Sequence, residues 1–293
     1  MIKQCLALCC LILLAGCQSR QAAAPTPVAQ TREPVIALAL GGGGAKGFAH
    51  IGVVKVLESH GIKAQIVTGT SAGSFVGALY ASGLTPFELQ AVALNLREAE
   101  IRDLTFSREG FLLGQRLQDY VNGIVGNRPM QDFPKRFAAV ATEMETGRKV
   151  VFNRGNAGQA VRASCSIPNV FVPVTIAGKR YVDGGLVSPI PVETAKDMGA
   201  DIIIAVDISA RPRAGQRSSP WGLLNQTITI MGQAGIDREL AMASVVVQPD
   251  VSAMGTGDLA SRHAAILAGE RAAQAQLPAI RAAIAAFKDS PKP

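Results

Sequence analysis

The chain has 293 residues, is 48% hydrophobic but only 5% aromatic, and carries a formal net charge of +7. That length can bury a substantial core, and the dominance of Ala, Gly, Val and Ile favours α/β layering over a small β-sandwich. The densest basic patch (Arg211, Arg213 and Arg217) falls in a loop without interleaved aromatics, so no nucleic-acid partner is expected, whereas weak attraction to an anionic membrane surface is.

Residues 1–16 read as a targeting segment rather than as part of the fold. Lys3 supplies a positive start, and Leu6 to Leu14 is an apolar stretch too short to span a bilayer comfortably. Leu14-Ala15-Gly16-Cys17 resembles the bacterial lipobox, in which cleavage precedes the cysteine and the cysteine is then acylated. The resemblance implies a lipidated Cys17 and stable membrane anchoring. Gln18 in place of an aspartate implies the outer membrane, facing the periplasm. An ordinary secretory signal or a short membrane anchor is the alternative. Cys5, Cys9 and Cys10 leave with the leader, so Cys165 is alone in the mature body, and neither an internal disulfide nor a Cys/His metal site is expected. Residues 17–33 are polar and proline-bearing, as in a flexible tether. The folded domain is expected over 34–287, with a disordered tail at 288–293.

The fold begins with Val35 to Leu40, a continuous apolar run of the kind found in a strand buried on both faces. It breaks into Gly41-Gly42-Gly43-Gly44-Ala45-Lys46-Gly47, and a helix is predicted from Phe48 to His60, with Gly61 as its C-cap. A second strand, Ala64 to Thr68, leads into Gly69-Thr70-Ser71-Ala72-Gly73, followed by a helical pattern to Ala81. This βαβ unit argues for a parallel sheet. Thr85-Pro86 marks the start of a helix to about Leu96. Residues 97–130 lack strong strands and read as a cap over the sheet edge, with Gln115 to Val125 its clearest helix. Phe137 to Thr142 and Lys149 to Phe152 are predicted strands, Gly158 to Ser164 a short helix, and Phe171 to Ile176 with Lys179 to Val182 a hairpin around Ala177-Gly178. Helix Val192 to Met198, strand Ile202 to Val206, a polar loop over Arg211 to Pro220, a helix to about residue 243 and strand Val245 to Val247 follow. The last helix is predicted from Ser261 to Phe287, interrupted at Pro278.

Strand, Gly-x-Ser-x-Gly and helix together form the setting of a nucleophile elbow. Glycine two residues to either side of Ser71 lets the chain turn sharply, and the helix N-terminus favours developing negative charge. A serine hydroxyl also needs a base and donors for an oxyanion. Gly42 to Gly47, including Ala45 and Lys46, can supply the donors, because bare glycines put no side chain between backbone N–H groups and an approaching atom. For the base there are two candidates. His263 would complete a Ser-Asp-His order along the chain. Asp183 ends a strand and is followed by Gly184-Gly185, which allow close approach and a sharp exit. His50 and His60 read as ordinary helix residues.

The three motifs, in this order, resemble those of the patatin-like phospholipases, and Ala163-Ser164-Cys165-Ser166-Ile167-Pro168 resembles a further stretch of that family. The resemblance covers residues 35–210. It implies a three-layer α/β/α fold with a mainly parallel sheet, and a Ser-Asp dyad with Ser71 as nucleophile, Asp183 as base and the glycine loop as oxyanion hole. It further implies hydrolysis of acyl esters in membrane phospholipid or another acyl lipid, without metal or organic cofactor. Cys165 reads as packing. The glycine loop also fits Gly-x-Gly-x-x-Gly, but a dinucleotide site needs an acidic residue about 20 residues on, and Thr68-Gly69 stands at the end of the second strand instead. A triad esterase using His263 and a catalytically silent lipid-binding lipoprotein are the rival readings.

Overall fold

A computed structural model describes residues 32–105, 107–209 and 220–289. The leader, Cys17, most of the tether and Arg211, Arg213 and Arg217 lie outside the described residues. In chain order the elements are β1 (Ile36–Leu40), α1 (Phe48–Ser59), β2 (Ile66–Thr70), α2 (Ala72–Ala81), α3 (Pro86–Asn95), α4 (Glu98–Ile101), α5 (Gln115–Ile124), β3 (Arg136–Glu143), β4 (Lys149–Phe152), α6 (Ala157–Ser164), β5 (Val174–Ile176), β6 (Lys179–Asp183), α7 (Val192–Asp197), β7 (Ile202–Val206), α8 (Pro220–Leu240), β8 (Val245–Val247) and α9 (Arg262–Asp289).

The strands form one eight-stranded sheet in the order β5-β6-β3-β2-β1-β7-β8, with β4 paired to β3. The run β3-β2-β1-β7-β8 is parallel, and β4, β5 and β6 add antiparallel pairs. Alternation along each buried strand divides the core into two. Leu38, Leu40, Val67, Ile204 and Val206 face a cluster shared with α1, α2 and α9. Ala37, Ala39, Ile66, Ile203 and Ala205 face a second cluster with Val192 and Ala195 of α7 and Ile236 of α8. The small residues of β1 thus point to one layer and its leucines to the other, which gives three layers from period-two strands.

Local chemistry explains most boundaries. Thr85 caps α3 in a full capping box with Glu88, and Pro86 occupies the first turn. Gly61 (φ 76°) ends the segment after α1, and Ala177 and Gly178 (φ 49° and 78°) close the β5–β6 hairpin in a primed turn. α9 differs from expectation. It runs unbroken through Pro278 to Asp289. Pro278 and Gln274, four residues earlier, are both exposed, so the missing hydrogen bond falls on the solvent side of the helix. Phe287 packs on the core and Lys288 pairs with Glu33 at 2.7 Å, which carries the helix two residues past its expected end.

The chain passes from β1 through α1 to β2 on one side, and later returns to β7 on the other side of β1. The carboxyl end of β1 is therefore a topological switch point, where open α/β sheets present a crevice.

Candidate active site

Ser71 sits between β2 and α2 with φ 52° and ψ −123°, a backbone conformation that few non-glycine residues adopt. The flanking glycines permit it. A side chain on Gly69 would lie 2.4 Å from the Gly73 carbonyl oxygen, and one on Gly73 would lie 2.0 Å from that of Leu40. The turn is held from below: Ser71 N–H donates to Ser164 Oγ at 2.9 Å, and that hydroxyl donates to Val140 O at 2.5 Å. Ser164 thus stands where the direct β2–β3 ladder bond would continue.

Asp183 reaches Ser71 through β3. Thr70 pairs with Val140, and Asp183 pairs with Ala141, the next residue. β4 already covers Ala139 to Thr142. A strand has two edges, so β2 and β6 must share the other one, and Asp183 arrives where β2 turns away. Its backbone is fixed on both sides, with N–H to Ser166 O at 2.9 Å and C=O accepting from Thr142 Oγ1 at 2.8 Å. Oδ1 accepts from Gly185 N–H at 2.7 Å, while Oδ2 is buried without a hydrogen-bond partner among the described residues. Burial lifts the carboxyl to about 6, opposed by the nearby Ser71 hydroxyl and the Gly185 N–H.

The glycine loop lies against the serine. A Cβ on Gly42 would meet Ser71 Cβ at 3.3 Å, and one on Gly47 would meet Ala72 Cβ at 2.6 Å. Not every donor of the loop is open. Gly42 N–H bonds Pro189 O at 3.0 Å and Ala45 N–H bonds Thr256 O at 2.7 Å. Among the described residues, the N–H groups of Gly43, Gly44 and Ala72 donate no hydrogen bond. Lys46 is buried beside them. A carbonyl oxygen polarised at this loop would therefore meet Gly43 and Gly44, joined by the first N–H of α2.

Among the described residues, no histidine hydrogen-bonds the Asp183 carboxylate. His263 is exposed on α9, in a cleft with Lys55, Gln90, Ile266, Leu267 and Glu270. His50 is fully buried, and its Nε2 lies 2.8 Å from Gly41 O. A carbonyl only accepts, so Nε2 carries the proton. Burial lowers the pKa of His50 to about 4, keeping the ring neutral behind the loop. Cys165 borders the site, with its thiol 3.8 Å from Ser74 Oγ. Burial first, then the Asp183 charge, pushes its pKa up to about 12, which keeps it a neutral thiol. Among the described residues, no group of three or more His, Cys, Asp or Glu could hold a metal ion.

Sequence reasoning left Ser164, Thr142, Pro189 and Thr256 without roles. Only Ser164 carried a signal, as part of the Ala163–Pro168 stretch. The others act through backbone carbonyls or across the sheet, which no local pattern marks.

The patatin-like phospholipase profile matches residues 38–196, more than half of the chain. An uncharacterized NTE family protein of Mycobacterium tuberculosis (strain ATCC 25618 / H37Rv) is 38% identical over 178 residues, covering 60% of this chain and 49% of that protein. Lysophospholipase NTE1 of Coccidioides immitis (strain RS) is 36% identical over 228 residues, 69% of this chain but 14% of that protein. The chain thus spans about half the length, or less, of the curated relatives it matches. Among solved structures, VipD from Legionella pneumophila has the same fold, with a TM-score of 0.60 at 14% identity over 85% of this chain and 67% of that one. With the matched stretch containing the glycine loop, Ser71 and Asp183 alike, the chain belongs to the patatin-like phospholipase family.

Proposed function

We propose that the protein is a serine hydrolase of lipid acyl esters, of the phospholipase A, lysophospholipase or lipase type, working through a Ser71–Asp183 dyad. The observation that carries this reading is the approach of a buried Asp183, with one oxygen unbonded and a pKa near 6, to a serine held in a strained elbow beside open N–H groups. The similarity to a fungal lysophospholipase supports the substrate class.

In this mechanism Ser71 Oγ attacks the ester carbonyl carbon and its proton passes to Asp183 Oδ2, while Gly185 N–H holds Oδ1 in place. The oxyanion is met by the N–H groups of Gly43 and Gly44. Collapse expels the alcohol, which takes the proton from Asp183 and leaves an acyl-Ser71 ester. Water then attacks that ester and gives a proton to Asp183, which passes it to Ser71 Oγ as the second intermediate collapses to the fatty acid and free Ser71. Lipid attachment at Cys17, and a place in the outer membrane facing the periplasm, belong to the same proposal. They rest on the Leu14–Cys17 sequence and Gln18, and mass spectrometry of the protein from bacterial membranes tests them.

The central test is fatty-acid release from medium-chain acyl esters and phospholipid micelles. Ser71→Ala and Asp183→Asn are expected to abolish release, and His263→Ala to leave it near the parent level. Loss with His263→Ala in a folded protein would replace the dyad with a triad. Lipid binding without release by the parent would leave a binding protein.

A further inference from the structure

Glu239, near the end of α8, is a buried carboxylate, 2% exposed, with no part in the chemistry above. Its Oε1 accepts from Ser188 Oγ at 2.5 Å and its Oε2 from Glu193 N–H at 2.8 Å. The first bond grips the segment Ser188-Pro189-Ile190-Pro191. The second caps the N-terminus of α7, where Pro191 stands at the N-cap and has no side chain to do so.

Ser188 to Pro191 follows directly on the Asp183 turn, and its carbonyls serve the site. Ser188 O accepts from Thr70 Oγ1 at 2.7 Å and Pro191 O from Thr68 Oγ1 at 2.8 Å. Pro189 O accepts from Gly42 N–H at 3.0 Å. Thr68 and Thr70 are two apart on β2 and so share one face. The strap therefore holds the last residues before Ser71, holds the start of the glycine loop, and is covalently joined to Asp183. Its two prolines lack N–H groups, so the segment cannot be fixed by a ladder of its own. Glu239 fixes it from behind, and does so from outside residues 38–196, the stretch that matches the family.

We propose that Glu239 is a positioning residue for the acyl transfer. Its carboxylate sets the strap, and the strap sets the spacing between Ser71, the open N–H groups and Asp183. This inference rests on the hydrolase reading.

The test uses the full-length protein with Glu239→Gln, Glu239→Ala and Ser188→Ala. Three readouts run together: kcat and KM on a medium-chain acyl ester, the rate at which a fluorophosphonate labels Ser71, and thermal melting. Displacement of a reacting group by a fraction of an ångström to an ångström predicts a kcat about 10–100-fold lower for Glu239→Ala with KM almost unchanged, and an equal fall in labelling. Glu239→Gln, which keeps an acceptor for one of the two donors, should recover part of the loss. A folded Glu239→Ala protein with parental kcat and labelling overturns the inference, as does a loss confined to melting temperature. Where Glu239→Ala does not fold, Ser188→Ala decides by the same criteria, since it cuts the strap contact and leaves the α7 cap. A parent that neither releases fatty acid nor takes up phosphonate overturns the hydrolase reading and this inference with it. An active parent unaffected by these changes overturns this inference alone.

Discussion

Asp183 comes to Ser71 because it is next along one edge of β3 to Thr70, the residue before the serine, although 112 positions separate Asp183 from Ser71 in the chain. Thr70 pairs with Val140 and Asp183 with Ala141. β2 leaves that edge at the elbow and β6 enters it from the opposite direction. Backbone pairing thereby brings the elbow and the carboxylate to adjoining positions, with no flexible arm between them. Thr142 and Ser166 hold the Asp183 backbone, and Gly185 N–H holds one oxygen of its carboxylate.

Activity is expected to have an acid limb set by Asp183. In the proposed mechanism Asp183 must be ionised to accept the Ser71 proton, and burial raises its pKa to about 6. Turnover is therefore expected to fall as pH drops through about 6, well above the usual carboxylate range. A kcat/KM profile measured from pH 4 to 9 checks this, and a limb near 4 would contradict it.

The same burial makes Asp183 costly to the fold. Its folded pKa is raised above the unfolded value of 3.8, so its contribution favours folding at low pH and is lost as pH rises from about 4 through about 6. His50 acts in the opposite sense: with a folded pKa near 4 against 6.5, it weakens the fold as pH falls through that interval. Asp183→Asn removes the first term. The variant should be inactive yet more stable than the parent at pH 8, by up to about 3 kcal/mol, with the gap closing towards pH 4. Urea unfolding at the two pH values measures it.

Gly44→Ala should damage both fold and activity. Gly44 has φ 59°, and an added Cβ would lie 2.2 Å from the Thr256 carbonyl oxygen. Either the 250–258 loop yields or the glycine loop shifts, at about 1–3 kcal/mol. The Gly44 N–H moves in the second case, so kcat should fall more than KM changes. Thermal melting and steady-state kinetics together distinguish the two responses.

Ser164→Ala deletes the hydroxyl that joins Ser71 N–H to Val140 O. Two buried backbone groups then lose their partner, a loss of about 1–3 kcal/mol. The strained elbow should relax, with slower phosphonate labelling of Ser71. Ser164→Thr, which keeps the hydroxyl, should retain more of the labelling rate than Ser164→Ala.

The local pieces of this protein were legible in the amino-acid order. Continuous apolar runs mark β1, β2 and β7, Thr85-Pro86 marks a capped helix, Ala177-Gly178 a hairpin turn, and glycine spacing singles out the elbow and the loop. These signals are short-range, because propensity, capping and period depend on neighbours within a turn or a pleat. Tertiary structure decided the rest. It brought Asp183 rather than His263 to Ser71 through strand register, and buried His50 behind Gly41. It closed two N–H groups of the glycine loop with carbonyls from Pro189 and Thr256 and left those of Gly43 and Gly44 open. It also let α9 run through Pro278, which stands on the exposed side of the helix. Each outcome depends on which backbone groups meet across the sheet or reach solvent, and hydrogen bonds between residues far apart in the chain leave no period in the sequence.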